Sequence, residues 1–127
     1  MSANVKAMLE VANAAVPRID PTQARDMIAK GNVLVIDVRD APEIQQSGKI
    51  AGAINVSRGM LEFRADPDSP YHDKNFERQR SLILYCASGG RSALGAKTLK
   101  DMGYERVYNL GALKDWIAAG GQVENAA

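Results

Sequence analysis

The chain has 127 residues, 46% of them apolar and 24% charged, with 16 Lys and Arg against 15 Asp and Glu. A net charge of +1 builds no broad positive field, which excludes non-specific nucleic-acid binding, and no apolar run approaches the length of a membrane span. One cysteine and one histidine exclude an internal disulfide and leave a Cys/His zinc site short of ligands, so neither metal nor cofactor is expected.

Such a length and composition suit one domain that buries about two-thirds of its unfolded surface. Val5, Met8, Leu9 and Ala12 recur at helical spacing, and Pro17 ends that helix. Residues 1–17 therefore read as an N-terminal helical extension. It has no continuous hydrophobic signal core, so a cytoplasmic location is expected. Arg18-Ile19 reads as a short edge strand. Asp20-Pro21-Thr22-Gln23 starts a helix, because Asp20 can cap, Pro21 suits the first helical position and Gln23 can close a capping box. Ala24, Met27 and Ile28 face inward, and Gly31 is the stop.

Val33 to Val38 is a continuous apolar run broken only by Asp37, typical of a strand buried on both faces. Asp40-Ala41-Pro42-Glu43 starts a short helix, with Glu43 as capping partner of Asp40. Gly48 and Gly52 mark a turn before the short strand Ala53–Val56. Between Ser57 and Arg80 the pattern weakens to a helical piece at Met60, Leu61 and Phe63 and turn chemistry at Asp66–Pro70. A connection this long between buried strands is more often functional than idle. Ser81–Tyr85 is the second strong strand. Leu94, Leu99 and Met102 line a helix that Gly103 ends, Val107-Tyr108 is a last strand, and Leu113, Trp116 and Ile117 mark a final helix before Gly120-Gly121. Strands alternating with helices give an α/β fold with a largely parallel sheet.

Cys86 follows a buried strand and precedes a helix, and ligands of open parallel sheets bind beyond the carboxyl ends of the strands. Gly89 and Gly90 let the backbone curl so that several N–H groups converge, and a helix starting near Ser92 adds its positive end. Comparable surroundings lower a cysteine pKa from about 8.5 to roughly 3.5–7.5. The thiolate is the nucleophile. Arg91 offers a forked cation for an oxyanion or a charged sulfur species.

Cysteine-dependent phosphatases also use an anion-binding loop here, but with five residues between cysteine and arginine. Arg91 follows Cys86 after four residues, position 92 is Ser92, and Tyr85 stands where such phosphatases tend to carry histidine. A shorter loop suits a persulfide sulfur better than a phosphoryl group.

The hexapeptide Cys86-Ala87-Ser88-Gly89-Gly90-Arg91 resembles the active-site loop of the rhodanese family. Val35 to Glu43, with Ser47 to Val56, resembles that family's upstream DVR and GHIPGA stretch. Tyr108-Asn109-Leu110-Gly111 and Trp116 to Gly120 resemble its tail. The resemblance spans residues 18–124. It implies one rhodanese-like domain over 18–127, with a five-stranded parallel sheet flanked by helices on both faces. It also implies a ping-pong sulfur transfer: a donor such as thiosulfate or a low-molecular-weight persulfide loads Cys86, and cyanide or a thiol unloads it. A sulfur-accepting protein is a second candidate partner, and a phosphatase or arsenate reductase-like activity the remaining alternative. The amides of residues 87–91 would hold the persulfide.

Lys49 replaces the family's histidine, Ala51 its proline, and Gly111-Ala112 its double glycine. Asp37 and Arg39 read as a structural ion pair, Trp116 as core, and His72 as an exposed loop residue. The Ser57–Arg80 segment, which resembles an insertion of a bacterial subgroup, is expected to border the pocket through Arg58, with Ser92 beside it.

Overall fold

The computed structural model describes residues 2–125. Met1, Ala126 and Ala127, the ends of the 1–17 and 18–127 segments, lie outside the described residues. The elements run in the order α1 (Val5–Ala15), α2 (Pro21–Lys30), β1 (Val33–Asp37), α3 (Ala41–Ser47), β2 (Lys49–Ile50) and β3 (Ile54–Asn55). A single 3-10 turn (Arg58–Met60), α4 (Leu61–Ala65), β4 (Ser81–Cys86), α5 (Gly90–Asp101), β5 (Val107–Ala112), α6 (Leu113–Ala118) and β6 (Val123–Glu124) complete the chain. At the start of α2, Asp20 accepts the Gln23 N–H and Gln23 accepts the Asp20 N–H, each at 2.8 Å. The reciprocal cap expected from the sequence is therefore formed.

Four strands make a wholly parallel sheet in the order β3-β1-β4-β5. The expected fifth strand, Arg18-Ile19, is reduced to one parallel bridge to Asn109. Pro17 has no N–H to lengthen that ladder, and Pro21 opens α2 four residues later. A feature not expected is the two-residue β6, which pairs antiparallel with β2 in a separate ribbon. The Lys49 ammonium closes the same corner, donating to the Ala53 carbonyl at 2.5 Å and pairing with Glu124.

Side chains alternate across a strand, and the sheet sorts them into two cores. Leu34, Ile36, Val38, Leu82, Leu84 and Cys86 lie on one face with Ala96 and Leu99 of α5. Val35, Ile83 and Tyr85 lie on the other with Ala24 of α2 and Trp116 of α6. Both faces are thus covered by helices, as expected. The connection after β3 supplies Leu61, Ala65 and Phe76 to the α5 core, and the Tyr104 hydroxyl donates to the Ala65 carbonyl at 2.5 Å. This segment plugs the core.

Asp37, at the end of β1, is fully buried against Arg39, with guanidinium-to-carboxylate distances of 2.7–3.2 Å. The same guanidinium donates to the Gly48 carbonyl at 2.6 Å and the Ser47 hydroxyl at 2.8 Å, tying the strand end to the turn before β2. Burial opposes the Arg39 charge, but Asp37 outweighs it and holds the guanidinium above its ordinary pKa. Removing one partner of such a pair strands a buried charge. Asp37→Ala should therefore cost about 3–5 kcal/mol, read as a lowered urea midpoint.

Candidate active site

Cys86 is the last residue of β4 and shares parity with Leu82 and Leu84, so it points toward α5. Gly89 has φ +100°, a left-handed conformation that glycine adopts without cost, and it turns the chain back on itself. Its N–H then donates to Cys86 Sγ at 3.0 Å. The helix behind it begins at Gly90, two residues before the expected start at Ser92, so its positive end adjoins the sulfur directly.

Ser92 is fully buried in the first turn of α5, with Oγ 3.4 Å from Sγ. Its hydroxyl donates to Asn109 Oδ1 at 2.8 Å, while Asn109 Nδ2 donates to the Gly89 carbonyl at 3.3 Å. That carbonyl can only accept, so Asn109 must turn its NH2 toward Gly89 and its oxygen toward Ser92. The single Ser92 hydrogen thus belongs to Asn109 while Cys86 is a neutral thiol, and S–H can donate to Ser92 Oγ. On ionisation the same hydrogen can rotate to the sulfur. Burial raises the Cys86 pKa, but the Ser92 hydroxyl and the amides of Ser92, Ser88 and Gly89 outweigh it. The thiol is held below its ordinary value.

Sequence reasoning assigns Asn109 no chemistry. Its signal was there: one carboxamide in the otherwise apolar end of β5, buried to 2% exposure. A register shift in β5 pairs Leu84 with Asn109 and Tyr85 with Gly111, skipping Leu110. The bulge aims Asn109 at the loop and lays Gly111, at φ +93°, beside Gly89.

Arg91 does not present an open fork. Both terminal nitrogens donate to Glu43, each at 2.8 Å, in a two-pronged bond between α5 and α3. Glu43 also accepts the Asp40 N–H at 2.9 Å, the capping role expected of it. The Arg91 bonds, then that amide, bring the Glu43 carboxyl down to about 2. Arg91 braces the loop with its charge matched.

Arg58 is likewise paired. Its guanidinium donates to Glu62 at 2.9 Å and to Thr98 of α5 at 3.1 Å. Its backbone N–H donates to the Val38 carbonyl at 3.1 Å, just past the end of β1. His72, expected at the surface, is half-buried, and no hydrogen bond joins its Nε2 to another described residue. Trp116 is core, as expected, with its indole N–H on the Gln122 carbonyl at 2.9 Å. Among the described residues no cluster of His, Cys, Asp or Glu could hold a metal, and no helix is long and apolar enough to cross a membrane.

The architecture is thus a parallel α/β sheet with a cysteine at a strand end whose sulfur accepts from the Gly89 N–H. Residues 20–119 match the Rhodanese-like domain model, and the chain belongs to that family. A solved structure from Rhodopseudomonas palustris, a protein of unknown function described as a possible tyrosine phosphatase, is similar at 39% identity and a TM-score of 0.90. That likeness covers 98% of this chain and 96% of the other. The thiosulfate sulfurtransferase GlpE of Actinobacillus succinogenes is 33% identical over 85% of this chain and 90% of its own length. The tRNA uridine(34) hydroxylase of Ehrlichia ruminantium is 28% identical over 84% of this chain, which spans only 39% of that longer protein.

Removing the Ser92 hydroxyl takes away the largest contribution favouring the thiolate. Ser92→Ala should move the pH profile of Cys86 alkylation to higher pH; an unmoved profile would show that Ser92 does not reach the sulfur. Glu43 titrates near 2 in the folded chain against an ordinary 4.5. Its bridge therefore stabilises fully above about pH 4.5 and is lost as pH falls toward 2. Stability measured across that range should lose part of its acid slope in Glu43→Gln.

Proposed function

We propose that the protein is a sulfurtransferase in which Cys86 carries sulfur as a persulfide between a small sulfane donor, such as thiosulfate, and cyanide or a thiol. Sulfurtransferases stand among its distant relatives. The observation that carries the reading is the Gly89 N–H on Sγ at 3.0 Å, in a loop whose amides favour the anion.

The chemistry balances without an external oxidant or reductant. The Cys86 thiolate attacks the outer sulfur of thiosulfate, the new Cys86–sulfur bond forms, and the old sulfur–sulfur bond breaks. Sulfite leaves with the electron pair. The negative charge then resides on the terminal persulfide sulfur, where the loop amides act as preorganised donors. Cyanide attacks that sulfur, thiocyanate leaves, and the thiolate returns. A thiol acceptor reacts at the same atom and departs as a persulfide.

Two features favour sulfur over phosphoryl transfer. The loop has four residues between Cys86 and Arg91, and Glu43 occupies the arginine fork that a phosphoryl group would need. Cys86 is fully covered at rest, so a donor enters by local opening. The exposed Ala87-Ser88 turn before the two glycines has the least packing to lose.

Treatment with thiosulfate should add the mass of one sulfur atom to Cys86 in the native protein, reversibly with cyanide and not in Cys86→Ser. Turnover of a phosphoryl substrate with no such adduct would overturn the reading.

A further inference from the structure

The Ser92 hydroxyl has one hydrogen and two acceptors within reach. Its Oγ lies 2.8 Å from Asn109 Oδ1 and 3.4 Å from Cys86 Sγ, and among the described residues no other side chain bonds to it. The three side chains are closed to bulk solvent, Cys86 and Ser92 at 0% exposure and Asn109 at 2%. The hydrogen is therefore shared between a carboxamide oxygen and a sulfur.

Neither neighbour is free to drift. Asn109 is gripped through its backbone, its N–H donating to the Pro17 carbonyl at 3.0 Å and its carbonyl accepting from the Ile19 N–H at 3.1 Å. Its Nδ2 is held on the Gly89 carbonyl, and Ser92 is fixed in the first turn of α5. Only the hydroxyl torsion is left to move, and the relative strength of the two acceptors decides where it points.

That balance changes with the state of the sulfur. A neutral divalent sulfur is a weak acceptor and an amide oxygen a good one. A thiolate instead accepts in a charge-assisted bond, roughly twice as strong as a neutral one. Once Cys86 carries a persulfide, Sγ is the inner, neutral sulfur, and the Ser92 hydrogen belongs to Asn109. When an acceptor attacks the outer sulfur, a bond forms between those two atoms, the bond to Sγ breaks, and its electron pair collects on Sγ. No proton changes owner. The Ser92 hydrogen stays on its oxygen and rotates from Asn109 to the charge that has appeared.

We propose that Ser92 is a catalytic residue of the unloading step, donating to Cys86 as a leaving group, and that Asn109 is the positioning residue that draws the hydrogen off the sulfur in the loaded state. This rests on Cys86 carrying sulfur. The bond is made in the thiolate and not in the persulfide, so it lowers the energy of the departing thiolate and of the transition state leading to it. The same stabilisation makes the thiolate a slower nucleophile in loading. Together Ser92 and Asn109 bias Cys86 toward giving its sulfur up.

The test measures the two half-reactions separately by mass spectrometry over time. Loading uses thiosulfate, with the rate divided by the thiolate fraction read from the alkylation profile, and unloading uses cyanide on the loaded protein. In Ser92→Ala, with its fold checked by circular dichroism, unloading should slow about tenfold or more, while loading per thiolate stays equal or rises. A loosened site would slow both. Ser92→Thr, which keeps the hydroxyl, should restore most of the lost unloading rate. Asn109→Asp, its fold checked in the same way, offers the hydrogen a stronger acceptor. It should slow unloading in the native background, and by much less once Ser92 is replaced by alanine. Equal slowing of both half-reactions in Ser92→Ala, or an unloading rate unchanged by it, would overturn the role of Ser92. An Asn109→Asp effect as large without the hydroxyl as with it would overturn that of Asn109. Failure of the native protein to load would instead overturn sulfur transfer at Cys86, and this inference with it.

Discussion

A thiolate at the end of a strand buried on both faces is stable only where donors replace the water it has lost. That requirement organises the middle of this molecule. The Gly89 amide reaches Sγ because Gly89 takes a left-handed turn. The turn holds because Asn109 clamps its carbonyl from β5. Asn109 arrives there because β5 carries one extra residue opposite β4. The chain of causes runs from a sheet irregularity to the protonation of one sulfur atom.

The charged residues around the site follow a second logic. Arg39 is held by Asp37 inside the molecule, and Arg91 by Glu43 at the loop's rim. Both are spent on geometry, the first fixing the turn before β2, the second joining α3 to the loop. The loop amides, having no carboxylate to answer, are left to stabilise the negative sulfur.

Burial of Cys86 fits the same picture. A covered sulfur in an amide nest is protected from indiscriminate oxidation while its charge remains tolerable.

The sequence by itself determined the alternation of strands and helices, the cap at Asp20, the turn glycines, the family, and the placing of Cys86 between strand and helix. These are written in local periodicity and in the backbone demands of Gly and Pro, which neighbours in the chain can express. It also showed the ingredients Glu43 and Asn109 without their relations. Whether Arg91 was open or paired depended on α3 meeting α5 across 48 positions of chain. The pairing of Arg58 with Glu62 and Thr98 depended on how the segment after β3 packs on α5. The β5 bulge, which sets Asn109 against Gly89, is a property of strand pairing. Only the assembled sheet decided those, because side-chain partners remote in sequence are chosen by packing and register, and neither is visible along a single chain.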